Sequence, residues 1–299
     1  MLRTLAILAP CSLLLGLASG EKVWSQVEQP SLVRLAPAPT RSQSNWNSFW
    51  QHHLGQWKGS WTRYTPSGAI KETFASSRTF SADPALRAGL QVNRYRYADG
   101  RRIRKEWSFN AKDHSLPTGF AHPAHADMRG LALDNGSAAW LIPTLQPHQP
   151  APFELFLLDG DIRHSVGVVY GKNGRLFRTA SIREQRGNPS RSAWTNVMAQ
   201  GEPWVPKGRW QGEQRGIRAD LSRSSLRPST WQWQETKLST HYLPDGIILR
   251  CPDQLVNGQP FKIRVIWLVD ESQLQTITAS YDSNAHLIAV THQLLAPDS

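Results

Sequence analysis

The sequence predicts an all-β protein of two antiparallel β-barrels in tandem, with a short N-terminal helix before the first. Four observations predict it. From Trp57 onward, apolar and polar residues alternate in short runs with period two, the mark of half-buried strands. Tight turns join the runs, among them Asp99-Gly100, Asp134-Asn135-Gly136, Asp159-Gly160 and Lys172-Asn173-Gly174. No long helical pattern separates them, which argues against a parallel α/β sheet. A Gly-x-Trp-x-Gly pattern opens each series of strands, at Gly55-Gln56-Trp57-Lys58-Gly59 and at Gly208-Arg209-Trp210-Gln211-Gly212.

The chain opens with a leader. Met1-Leu2-Arg3 is basic, Thr4 to Leu17 is apolar, and Ala18-Ser19-Gly20 supplies small residues. This is the layout of a cleaved signal peptide over 1–20. The run is short for a bilayer span, which takes about 20 apolar residues. Export would place the protein in a periplasm or thylakoid lumen; without a working signal it would stay cytoplasmic. Residues 21–44, with Pro30, Pro37 and Pro39, read as a flexible lead segment. Trp46, Phe49, Trp50 and Leu54 then recur at helical spacing, with Ser44 or Asn45 as cap and Gly55 as stop.

Nine strands are expected in a first barrel over 45–190: Trp57 to Tyr64, Ile70 to Phe80, Leu90 to Tyr97, Ile103 to Phe109, Leu131 to Leu133, Ala138 to Ile142, Phe153 to Leu158, Val166 to Tyr170 and Leu176 to Ile182. Gly187-Asn188-Pro189-Ser190 reads as a boundary. A second barrel over 191–299 takes Arg209 to Arg215, Trp231 to Lys237, Gly246 to Arg250, Phe261 to Val269, Gln273 to Tyr281 and Leu287 to Leu295.

The 299 residues suffice for roughly one or two domains, and 39% hydrophobic content suffices for a core. After cleavage Cys251 would be the only cysteine, so no intrachain disulfide is available. Its place beside Ile247-Ile248-Leu249 reads as a buried small apolar residue. The net charge of +11, or +10 without Arg3, suits an acidic protein partner or membrane surface. Export argues against nucleic acid.

The pattern Gly-x-Trp on the first strand, after a short helix and ahead of a meander, resembles the lipocalin or calycin pattern. Three segments are most similar to the DUF3598 family, cyanobacterial proteins of unknown function with two lipocalin-like barrels in tandem. They are Phe49 to Trp61, Leu243 to Pro252, and Trp267-Leu268-Val269 with Tyr281-Asp282. The resemblance runs from about Asn45 to the C-terminus. It implies two lipocalin-like barrels and brings no catalytic residues.

A barrel of about eight or more tilted strands can hold one small ligand. Gly55, Trp57, Gly208 and Trp210 are expected to plug the closed ends. The 13 Trp residues point to an aromatic cavity for a hydrophobic ligand: a tetrapyrrole such as a bilin, a carotenoid or a lipid. Trp61, Tyr95, Trp107, Trp140 and Arg96 are the expected binding residues. Arg94, Arg104, Arg178 and Arg183 are further strand arginines that would hold a ligand carboxylate if they faced inward. His114, His122 and His125 share one expected loop, without the spacing of a structural metal site. No Gly-x-Ser-x-Gly, His-Glu-x-x-His or P-loop occurs. The alternatives to a carrier are an enzyme on the same scaffold, such as a bilin lyase, and an interaction module with filled barrels.

Overall fold

The computed structural model describes residues 38–188 and 192–298. The expected signal peptide and most of the lead segment lie outside the described residues. Helix α1 (Arg41–His53) begins earlier than the apolar spacing indicates. A capping box is the reason. The Gln43 N–H donates to Thr40 Oγ1 at 3.2 Å, and Gln43 Oε1 accepts from the Thr40 N–H at 3.0 Å. Two free donors of the first turn are thereby satisfied, and the polar run from Arg41 to Ser44 becomes helical.

The first sheet has eleven strands: β1 (Gly55–Tyr64), β2 (Ile70–Ala82), β3 (Ala88–Tyr97), β4 (Arg102–Asn110), β5 (Ser115–Leu116), β6 (Gly119–His122), β7 (His125–Ala132), β8 (Ala138–Leu141), β9 (Ala151–Asp159), β10 (Ile162–Tyr170) and β11 (Leu176–Arg186). Their order is β4-β3-β2-β1-β11-β10-β9-β8-β7-β6-β5. One helical turn, α2 (Ala111–His114), links the edge strands β4 and β5, so the barrel is nearly closed. Strands β5 and β6 fall where Pro117 and Pro123 read as loop. Strands this short carry too few residues for alternation to register.

The second sheet has seven strands: β12 (Arg209–Arg218), β13 (Arg227–Gln232), β14 (Ser239–Leu243), β15 (Ile247–Cys251), β16 (Phe261–Asp270), β17 (Gln273–Tyr281) and β18 (Leu287–Pro297), in the order β13-β12-β18-β17-β16-β15-β14. The strand expected at Trp231 to Lys237 is displaced. Register places Trp231 opposite Trp210, and after Gln232 the chain leaves the sheet. Arg250 Nη1 on β15 donates to the Gln234 carbonyl at 2.7 Å, drawing the two ends of the curled sheet together.

The Gly-x-Trp-x-Gly repeats do the same work in both halves. Gly55 and Gly208 have φ of 104° and 76°, a region that favours glycine. Trp57 and Trp210 are buried, and their indole N–H groups donate to the His53 and Lys207 carbonyls at 2.8 and 3.1 Å. A Cβ on Gly59 would lie 1.7 Å from the Arg183 oxygen, and one on Gly212 would lie 2.1 Å from the Leu294 oxygen. The neighbouring strand's backbone therefore fills the space of a side chain at both positions.

The largest apolar core lies between the two sheets. Leu131, Leu141, Leu155, Leu157, Val166 and Val168 of the first half meet Ile247, Leu249, Ile263, Val265, Ile277 and Val290 of the second. Cys251 belongs to this core, and burial pushes its thiol up to about 12. The contacts at the rim are reciprocal. Tyr281 Oη donates to the Ile142 carbonyl and Tyr170 Oη to the Pro252 carbonyl, each at 2.8 Å. The Leu287 N–H donates to the Pro143 carbonyl and the Leu176 N–H to the Asp253 carbonyl, each at 2.7 Å. The hairpins involved share a pattern: Tyr170, Asn173 and Leu176 match Tyr281, Asn284 and Leu287 in spacing. Gly174 and Ala285 take matching positive φ of 71° and 58°. Each half thus lays the same loop on the same hairpin of the other, as across a twofold axis.

Buried histidines also join the halves. His292 Nδ1 accepts from Asn135 Nδ2 at 3.2 Å, so its proton sits on Nε2 and is donated to Gln275 Oε1 at 3.1 Å. Burial, aided by Arg215, pushes His292 down to about 3. His164 lies beside Trp194 and Trp267, and burial with the Arg183 charge pushes it to about 3.

Two predictions follow from this packing. Gly59→Ala and Gly212→Ala should each cost about 1–3 kcal/mol, the usual penalty of overpacking, read as a lower urea midpoint. Between about pH 6.5 and pH 3 the unfolded chain binds protons that His164 and His292 refuse. Stability from them is complete above pH 6.5 and falls with pH by about 1.4 kcal/mol per unit per histidine. The thermal midpoint should drop across that window, and the slope should be shallower in His292→Gln.

Candidate functional site

Strand parity fixes what enters the first barrel. On β1 the inward residues are Trp57, Gly59, Trp61 and Arg63, and register matches them to Arg78, Ser76, Phe74 and Glu72 on β2. At one end α1 is the plug. Trp46, Phe49 and Trp50 pack with Trp57, Phe80, Phe109, Phe120, Trp140 and Phe156. Asn45 anchors the plug to β7, with Nδ2 donating to the Gly130 carbonyl and Oδ1 accepting from the Ala132 N–H, each at 2.8 Å.

Above the plug lies a buried ionic layer. Glu184 is fully buried, and Arg163 donates to its Oε2 from Nε at 2.9 Å and from Nη2 at 2.7 Å. Arg78 donates from Nε to Glu184 Oε1 at 2.6 Å and from Nη2 to Oε2. Its Nη1 reaches Glu154 Oε1 at 3.0 Å. Two arginines thus face two carboxylates. Burial alone would raise the Glu184 carboxyl, but Arg163 and Arg78 outweigh it and hold the group below its usual range. Arg163 Nη1 lies 2.7 Å from His53 Nδ1, and His53 Nε2 lies 3.0 Å from the Gly136 carbonyl. His53 therefore accepts at Nδ1, donates at Nε2 and is neutral. Burial first, then the Arg163 charge, keeps it well below its ordinary value. The Trp57 ring is flanked by the guanidinium carbons of Arg163 at 4.2 Å and Arg186 at 4.5 Å.

The space beyond this layer is a cavity of about 230 Å³. Trp61, Trp107 and Trp140 line it with His122, His125, Gln91, Glu154 and Arg178. Burial pushes His122 down to about 4, so its ring is a neutral wall at pH 7. The Trp61 indole N–H and Gln91 Oε1 are buried without a protein partner. Near the partly exposed end Arg63 pairs with Glu72 at 2.5 Å. Arg178 has no carboxylate within salt-bridge distance among the described residues, and burial and Arg63 lower its pKa. Three or more His, Cys, Asp or Glu side chains do not gather into a possible metal site among the described residues. No described helix is long and apolar enough to cross a membrane.

Residues 42–189 match the family model described as the N-terminal domain of DUF3598, a domain of unknown function. This region of the chain belongs to the DUF3598 family. A solved protein of unknown function from that family, from Nostoc punctiforme, matches this chain with a TM-score of 0.63 at 18% identity, over 85% of this chain and 99% of that one. Residues 229–294 match the C-terminal domain model of "Biogenesis factor required for ATP synthase 1". An S-type phycobiliprotein lyase from Guillardia theta covers 50% of this chain and 97% of its own, at 10% identity and a TM-score of 0.35. No curated protein matches.

The DUF3598 barrel places the expected binding residues unequally. Trp61, Trp107 and Trp140 line the cavity. Tyr95 shares the inward face of β3, with its hydroxyl 2.8 Å from Asn93 Nδ2 and its ring against Trp61 and Phe74. Arg96 does not face the cavity. It is opposite Ala75 and Arg102, and strand parity turns it outward with Arg94 and Arg104. Arg183 is also turned away from the interior, donating to Asp245 Oδ2 at 2.5 Å and to the Thr195 carbonyl at 3.1 Å. Only Arg178 of the five strand arginines faces the cavity. His122 and His125 line it, while His114 caps back onto Asn110.

Sequence reasoning missed the ionic layer. Its signal was parity: Arg78 falls in step with Phe74 and Phe80, and Glu184 in step with Ala180 and Ile182. A charge on the apolar parity of a strand is buried and must be paired.

Glu184→Gln leaves Arg78 and Arg163 without their shared counter-charge. It should cost about 3–5 kcal/mol in urea unfolding, the usual effect of breaking a buried ion pair. Arg104→Gln, which breaks the exposed pair with Glu106, should cost less than about 1 kcal/mol.

Proposed function

We propose that the first barrel binds and carries a small amphiphilic molecule, with an apolar or aromatic body and an acidic group. The cavity carries this reading. Trp61, Trp107 and Trp140 offer flat apolar contact, and the Trp61 N–H and Gln91 Oε1 await a polar partner. Arg178 supplies a guanidinium fork for a carboxylate. Pockets of this composition, largely apolar with a few polar groups, suit small ligands.

The volume limits the occupant. About 230 Å³ is below the range of roughly 300–1,000 Å³ common for ligand pockets. A ring or one chain segment enters, and the rest of a larger pigment, such as a bilin or carotenoid, stays in the mouth. A fatty acid fits the same scheme with its carboxylate at Arg178.

A second reading rests on a different observation. The match of residues 229–294 to a family named for ATP synthase biogenesis supports a role in assembling a protein complex. Arg94 lies opposite Arg104 and Arg96 opposite Arg102 on the outer face of β3 and β4, a cationic surface suited to an acidic protein.

The test is retention of a medium-chain fatty acid, its methyl ester and a free bilin, read by mass spectrometry, absorption and Trp emission. The acid and the bilin should bind at one per chain. The methyl ester should bind roughly tenfold more weakly, as should the acid to Arg178→Gln, for loss of one charge-assisted contact. Equal binding of acid and ester would remove Arg178 from the site. Retention of none of the three, with Trp emission unmoved, would sink the carrier reading in favour of the assembly one.

A further inference from the structure

The second barrel has a cavity of its own. Trp210, Trp231, Ile248, Ile266, Leu274 and Leu295 form an apolar floor inside the curled sheet. Beyond the floor, Arg250, Arg264, Thr278, Thr291, Gln293 and Gln214 surround a cup of about 230 Å³. The cup is polar where the first-barrel cavity is aromatic.

Two of its residues conflict as they stand. Arg250 on β15 lies directly opposite Arg264 on β16. Like charges so placed destabilise a sheet, and a buried charge is costly unless paired. No Asp or Glu lines the cup. The neighbouring Glu235 instead accepts the Trp233 indole N–H at 3.0 Å.

The guanidinium of Arg250 is buried and fixed in orientation. Arg250 is only 5% exposed. It lies 3.6 Å from the Trp233 ring centroid, and the Nη1 bond to the Gln234 carbonyl fixes its orientation. Its Nε–H is buried and has no acceptor. Arg264 is oriented by its own bond, Nε to Thr278 Oγ1 at 3.0 Å. Burial, with the Arg250 charge, holds Arg264 below its ordinary value.

We propose that this cup binds a small oxyanion, a phosphate or carboxylate group, between Arg250 and Arg264. An anion there ends the repulsion, takes the free Nε–H and accepts charge-assisted bonds from two planar forks. Gln214, Gln293 and Thr291 supply neutral donors around it. The proposal does not depend on the first-barrel reading.

Inorganic phosphate is titrated into the full chain, followed by the thermal midpoint and by Trp emission. Acetate and vesicles of phosphatidic acid are run in parallel. Saturable binding of free phosphate or acetate is expected, weakened roughly tenfold in Arg264→Gln and less in Arg264→Lys. Binding to phosphatidic acid vesicles alone, lost in Arg264→Gln, supports the same site with a lipid headgroup as its source. Lys112→Gln, altered on the exposed turn α2 of the first barrel, should bind as the parent does. Arg264→Gln is expected to fold, since it relieves a repulsion. The proposal is overturned if Arg264→Gln binds as well as the parent, if Lys112→Gln loses as much, or if none of the probes binds saturably.

Discussion

The apolar interface between the two sheets is the constraint on which the structure depends. Strands β7 to β11 are walls shared by two interiors. Leu131, Leu155, Val166 and Val168 face the partner half, and the alternate residues face the cavity. A strand buried on both faces cannot slip by one residue without sending Glu154 or Arg163 into the interface. The interface thus fixes the register that brings Arg163, Glu154 and Glu184 together, and pairing of β2 on β1 adds Arg78, opposite Trp57. The ionic layer is held in place by a core on the other side of its own wall.

Inside the first barrel, the same alternation produces three levels. The aromatic plug excludes water at the closed end and makes burial of charge costly. The ionic layer meets that cost with two acids for two arginines, and it orients His53 through a single hydrogen bond. What remains is open space only because the levels below it are full. Ring packing about Trp46, Phe49, Phe120 and Trp140 leaves no room for a ligand at that depth, and the ionic layer becomes the floor.

Much of this was legible in the sequence. Alternation and turn chemistry placed most of the long strands, and the two Gly-x-Trp-x-Gly patterns marked the two halves. Trp57 and Trp210 were readable as buried residues because a glycine on each side has a backbone reason to be there. Legibility stopped where the signal was not periodic. Strands β5 and β6 are too short to alternate visibly, and the start of α1 depends on one capping box in polar sequence. Register sets Tyr97 opposite the inward Phe74, so its neighbour Arg96 takes the outer face; the same parity puts Arg78 and Glu184 inside. Residue type said arginine and glutamate; only parity said inside.

The reciprocal contacts at the rim have a consequence for how the two interiors can differ. Two identical subunits joined across a twofold axis must carry identical pockets, since one gene writes both. Joining the halves in one chain keeps the self-complementary interface and replaces a concentration-dependent encounter with a local one, at an effective concentration near the millimolar range. It also releases the interiors from being copies. One half has eleven strands and an aromatic cavity closed by a helix, and the other has seven strands and a polar, arginine-lined cup. A symmetric shell with two unlike interiors is what a tethered pair can reach and a free dimer cannot.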